Sequence, residues 1–167
     1  MDKNEFTKKL QTWLITFLTR KFGDDYEIID VITPEGYLSK LNNDSIKSMP
    51  NYSAWDFKPD ILGILKNKDT KVIELVFVNR STSALSLKEI GELHCYACLA
   101  NTKLALLVSS SGISNEVNIL LLENDIRKRL LNYGDGKNIV VFSWNIQADN
   151  VDPNSIMPLE ERDYITK

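Results

Sequence analysis

The chain has 167 residues, 43% of them hydrophobic and 26% charged, with a formal net charge of −3. That length and apolar content suffice for one domain with a real core and exclude a disordered chain. The slight acidity excludes bulk basicity as the basis of a nucleic-acid contact, so local Lys/Arg clusters or bound cations would have to meet phosphate.

The opening stretch NEFTKKLQTWLITFLTRKFG sets Phe6, Leu10, Trp13, Leu14, Phe17 and Leu18 at helical spacing, flanked by Lys8, Lys9, Arg20 and Lys21 and stopped by Gly23. An amphipathic helix with a cationic flank is expected. Its apolar part is too short and too interrupted to span a bilayer and lacks a secretory cleavage pattern, so a cytoplasmic protein without membrane contact is expected. DYEIIDVIT reads as a strand, and residues 34–56 as a polar loop or ragged hairpin. DILGIL and KVIELVFV are apolar, β-branched runs joined by the turn-forming KNKDT, which predicts an antiparallel hairpin.

After the hairpin, Ser86 and Glu89 have capping-box spacing, and Leu87, Ile90, Leu93, Ala97 and Ala100 form the apolar face of a helix. KLALLVSS predicts a buried strand, the stretch from Ser114 to Gly134 a single helix, and NIVVFSW a last strand. The tail from Asn145 shows no period. One domain over 1–167 is expected, with a core at about 3–144 and an irregular tail at 145–167: an α/β fold with a mixed central sheet flanked by helices, in the order α-β-β-β-α-β-α-β.

Cys95 and Cys98 have CxxC spacing, but His94 is the only further soft ligand and the pair falls inside a helix rather than at its start. Buried structural thiols are the expectation. The carboxylates of the hairpin carry more. With a turn centred near Lys68, Asp60 would face Val76 and Glu74 would be its diagonal neighbour, close enough to share an ion. Glu74 inside VIELVFV is costly to bury without a partner. Taken singly, each acid is equally well read as a solvent-facing residue at a strand end or edge.

Pro59-Asp60, a hairpin, then Glu74-Leu75-Val76 resembles the PD-(D/E)xK signature of the restriction-endonuclease-like nuclease superfamily, and the element order from about Lys3 to Trp144 is similar to that family's core. Glu92 and Tyr96 resemble the QxxxY element of RecB-type members, with glutamate in place of glutamine. The resemblance implies Mg²⁺ (or Mn²⁺) held by Asp60, Glu74 and the carbonyl of Leu75, DNA as substrate, Glu92 and Tyr96 as substrate-binding residues, and room for a homodimer that cuts two strands. Val76 stands where the family has lysine, so Lys88, on one helical stripe with Glu92 and Tyr96, or Lys58, on the Asp60 face, would have to supply the ammonium. Lys88 and Glu92 are equally an ordinary exposed ion pair. Glu5 in the first helix fits a dipole interaction better than a ligand role. Basic runs at Lys8/Lys9, Arg20/Lys21 and Arg127/Lys128/Arg129 are candidates for phosphate contact. A metal-dependent deoxyribonuclease is the leading expectation, and a catalytically inactive nuclease-fold module for nucleic-acid binding or assembly is the alternative; an unrelated α/β domain with a coincidental PD…E is the third.

Overall fold

Six buried apolar residues, most of them three or four positions apart, build the longest element, α1 (Lys3–Phe22): Phe6, Leu10, Leu14, Phe17, Leu18 and Phe22. Asp2 caps its start by accepting from the Glu5 amide, and Glu5 itself is exposed in the first turn. The computed structural model describes residues 1–167. The strands are β1 (Tyr26–Ile32), β2 (Ile61–Asn67), β3 (Ile73–Ser81), β4 (Leu104–Ser109), β5 (Asn132–Gly134), β6 (Lys137–Asn145) and β7 (Asn150–Val151); the remaining helices are α2 (Asp44–Lys47), α3 (Leu87–Ala100), α4 (Asn115–Leu122), α5 (Asn124–Leu131) and α6 (Arg162–Thr166). The sheet runs β1-β2-β3-β4-β6-β5, with β7 on β6. The β3–β4 and β4–β6 pairs are parallel and the others antiparallel. This is the expected mixed α/β fold.

The sheet is buried on both faces, by an apolar layer of 20 residues on the α1 side and one of 21 on the α3 side. That two-sided burial is why β2 and β4 read as unbroken apolar runs. Gly63 permits the close approach of α1, since a Cβ there would stand 3.1 Å from the Val76 Cβ and 3.2 Å from a Leu18 methyl. The capping box of α3 is formed, with Ser86 and Glu89 bonded to each other and to backbone, and Asn101 ends the helix in the left-handed region at φ 47°.

Three expectations need correction. Residues 34–56 are neither a plain polar loop nor a hairpin: short 3-10 turns and α2 carry Leu38, Ile46 and Trp55 into the α3-side core, and Phe57 follows them. Their apolar residues are too widely spaced to show either period. The single helix from Ser114 to Gly134 is two helices broken at an extended Glu123, with Asn132–Gly134 forming β5. Arg127 compensates the break by donating to the Leu121 carbonyl at 2.9 Å. The tail is docked rather than irregular: the amide and carbonyl of Met157 pair with those of Val141, and Ile156 and Ile165 are buried in the α1-side layer. No helix is long and apolar enough to cross a membrane.

Candidate functional site: a cationic cleft at the end of the hairpin

The hairpin register decides where the two acids go. Ile61 pairs with Val78 and Leu65 with Glu74, so the midpoint of the turn lies between Asp69 and Thr70, not at Lys68. Asn67 sets this turn by accepting from the amides of Asp69 and Thr70, with Lys71 at φ 62°. Asp60 therefore stands beside Asn79 rather than Val76. Its separation from Glu74 along the hairpin is five residues, about 17 Å at about 3.3 Å per residue. The offset from the expected pairing is odd, so it also turns Glu74 to the opposite face from the one that Leu62, Ile64, Leu75 and Phe77 share. The register thus overturns the expected juxtaposition of Asp60 and Glu74.

Glu74 instead ends a polar chain on the α1 side. The Tyr26 hydroxyl donates to Glu74 Oε2 at 2.5 Å, and the Lys103 ammonium lies 5.1 Å from the centroid of the Tyr26 ring. Burial pulls the Lys103 pKa down, but contact with the Tyr26 hydroxyl and the charges of Glu74 and Asp25 outweigh it and hold the group above the ordinary lysine value. This cluster is the partner that a carboxylate inside an apolar strand requires. Glu74→Ala is expected to cost about 1.5–3 kcal/mol in urea unfolding, the scale of one charge-assisted hydrogen bond. With the Lys103 pKa raised on folding, its contribution is complete below the unfolded lysine pKa and is lost as pH rises through the folded one. Wild type should therefore lose stability above about pH 10.5, and Glu74→Ala should lose less over that window. An identical alkaline decline in both would remove Glu74 from this role.

The other proposed ligands are also engaged. The carbonyl of Leu75 accepts from the Lys103 amide at 2.8 Å as part of the β3–β4 junction. Lys88 is exposed near the start of α3 and forms no ion pair with Glu92. Glu92 accepts from the Tyr96 hydroxyl at 2.6 Å. Tyr96 lies flat on Phe57, with ring centroids 4.4 Å apart and planes at 11°. Burial and that bond to Glu92 push the Tyr96 pKa well above its ordinary value. Cys98 faces Tyr133, donating to its carbonyl at 3.5 Å, and burial pushes its thiol pKa up. Contrary to the expected burial, both cysteines belong to exposed residues, and both are free.

Asp60 and Lys58 lie at the other end of the hairpin, on the wall of a cleft of about 550 Å³. The first two turns of α1 contribute Lys3, Thr7 and Lys8, the entry to β2 contributes Lys58 and Asp60, and the end of β3 contributes Arg80. The Asp60 amide donates to Asn79 Oδ1 at 3.3 Å, and Asp60 Oδ2 accepts from the Arg80 amide at 2.8 Å. The Arg80 guanidinium stands 4.0 Å from Asp60 Oδ1, while its Nε donates to Thr7 Oγ1 at 2.7 Å. Four cations against one carboxylate make this a strongly cationic concavity.

A divalent ion does not fit this donor set. Two carboxylates, or one with several free oxygens, would have to converge beside Asp60, and the β3 residues that meet it are Asn79 and Arg80, neither of them an acid. Phe77 is fully buried, with its ring edge-on to Phe57 at 5.8 Å. No cluster of three or more His, Cys, Asp or Glu side chains in the fold is arranged to hold a metal.

Sequence reasoning missed Arg80 and Lys3 as cleft residues. The usable signal for Arg80 was its alternation with Val76 and Val78, which turns it toward α1. Of the basic runs, only Lys8 reaches the cleft; Lys9 pairs with Asp149 at 2.8 Å, Lys21 covers the Tyr164 ring, and Arg127 serves the helix break.

No family pattern matches the chain, and no curated protein matches it. Among solved structures, it is similar to the MspJI restriction endonuclease in complex with a 27-mer oligonucleotide, at 13% identity and a TM-score of 0.39, over 81% of this chain and 25% of that one. At that level the likeness says nothing of activity or site.

Proposed function

We propose that this chain is a nucleic-acid-binding module of nuclease-like architecture that does not hydrolyse its partner, and that its contact surface is the cleft between α1 and the β2–β3 hairpin. The observation that supports this most directly is the pairing of Asp60 with Arg80 where a second carboxylate would be needed. A guanidinium there offers phosphate a planar fork of donors and leaves a cation no charge to neutralise. Lys3, Lys8 and Lys58 add positive potential around it, enough to attract a phosphate backbone in spite of the chain's net acidity. DNA is the proposed partner, and the deoxyribonuclease expectation gives way because Asp60 and Glu74 stand at opposite ends of the hairpin.

Fluorescence anisotropy with labelled duplex DNA tests this reading, run beside a cleavage assay over a range of Mg²⁺ and Mn²⁺ concentrations. For roughly three to four phosphate contacts, counterion release predicts a roughly 50–150-fold fall in affinity between about 50 and 200 mM salt. No cleavage product is expected at any metal concentration. Metal-dependent cleavage that disappears in Asp60→Ala and Glu74→Ala would reinstate the nuclease, and salt-insensitive or absent binding would sink the module.

A further inference from the structure

The geometry points to a more specific ligand for the cleft: a terminal phosphomonoester, such as the phosphorylated end of a nucleic-acid strand, received by the guanidinium of Arg80. This deepens the proposed DNA contact and rests on it for the identity of the ligand. The Arg80 side chain is only 8% exposed, so it forms the floor of the cleft rather than its rim. Its Nε is committed to Thr7, while its terminal nitrogens have no hydrogen-bond acceptor, the nearest carboxylate oxygen standing at 4.0 Å. Neither terminal nitrogen is sealed away as a buried unpartnered donor, so both still open onto the cleft and are free to meet an incoming anion.

The dimensions and lining select which anion. Apart from Pro34 the walls are built of polar or charged residues, so no aromatic side chain is present on which a nucleobase could stack. An internal phosphodiester carries one charge and continues as sugar on both sides, which keeps it at the mouth. A monoester carries a charge of about −1.5 to −2 and three terminal oxygens, and it reaches a recessed fork from one side only. Four cations against Asp60 leave a local excess of three positive charges, more than one diester neutralises. Lys58 and Lys8, both exposed, stand over the entrance and engage the phosphate after it enters.

The test compares single strands of one sequence bearing a 5′-phosphate, a 3′-phosphate or hydroxyls at both ends, with inorganic phosphate and a nucleoside 5′-monophosphate as competitors. Wild type is expected to bind one phosphorylated strand roughly tenfold or more tightly than the hydroxyl strand, the scale of a bidentate charge-assisted contact. Arg80→Met should abolish that preference while retaining residual binding through the lysines, and Arg80→Lys should restore only part of it, because charge returns without the fork. Far-UV circular dichroism and the urea midpoint establish that each variant is folded. Should Arg80→Met not fold, Lys58→Met on the exposed rim carries the test, with a several-fold loss of the phosphate preference expected. Equal binding of all three strands by wild type would overturn the inference and leave the DNA-binding reading standing. A preference that survives in folded Arg80→Met overturns it as well. If no strand binds, the DNA reading fails by itself: competition or thermal stabilisation by inorganic phosphate or the nucleotide that depends on Arg80 would still support the monoester site, and its absence would overturn that too.

Discussion

Replacing Lys3, Lys8 and Lys58 together by glutamate is expected to weaken DNA binding roughly 100-fold or more, because it removes three phosphate contacts and turns the rim of the cleft repulsive. All three side chains are exposed, so the fold should tolerate the exchange, and Lys3 lies in the first turn of α1, where a carboxylate is favoured by the helix dipole. Anisotropy titrations at two salt concentrations report both the loss and a flatter salt dependence. The same exchange at Lys9, Lys21 and Lys128, outside the cleft, should change affinity far less. If both triple variants lose binding equally, the effect is one of net charge, and the cleft is not the contact surface.

Phe77→Ala is expected to cost about 3–5 kcal/mol, the range for removing a fully buried phenyl ring. Typical domains are stable by about 5–15 kcal/mol, so this one change takes a large share of the total, and a fall in Tm on the order of 10 °C should be visible by calorimetry. Phe77→Leu should lose much less because it keeps most of the volume. Phe77→Glu is expected to unfold the chain, since it leaves a charge in an apolar layer. A loss below about 1 kcal/mol for Phe77→Ala would mean that the ring is not packed as described.

Much of the architecture was legible because it rests on local periodicity and capping. The apolar stripe of α1, the Ser86–Glu89 box and the two arms of the hairpin all announce themselves within a single element. The site was not legible, because it depends on register. A displacement of one and a half residues in the turn centre, decided by Asn67 and the left-handed Lys71, moves the partner of Asp60 by three positions and reverses the face of Glu74. Turn chemistry offered several ways to close KNKDT, and composition does not choose among them. Glu74 was correctly read as a charge needing a partner, but Tyr26 at the start of β1 and Lys103 just before β4 lie far from it in sequence, and no local pattern specifies how those strands pair. The core role of residues 34–56 was hidden for a related reason: Leu38, Ile46 and Trp55 are isolated apolar residues in a polar stretch, and only tertiary packing gathers them.

Phe57 lies between Phe77 and Tyr96, so rings from the approach to β2, from β3 and from α3 tile one continuous aromatic floor. Because Phe57 touches both of the other rings, the segment that leads to Lys58 and Asp60 is braced against β3 and α3 together, so the wall of the cleft inherits its rigidity from the opposite layer of the fold.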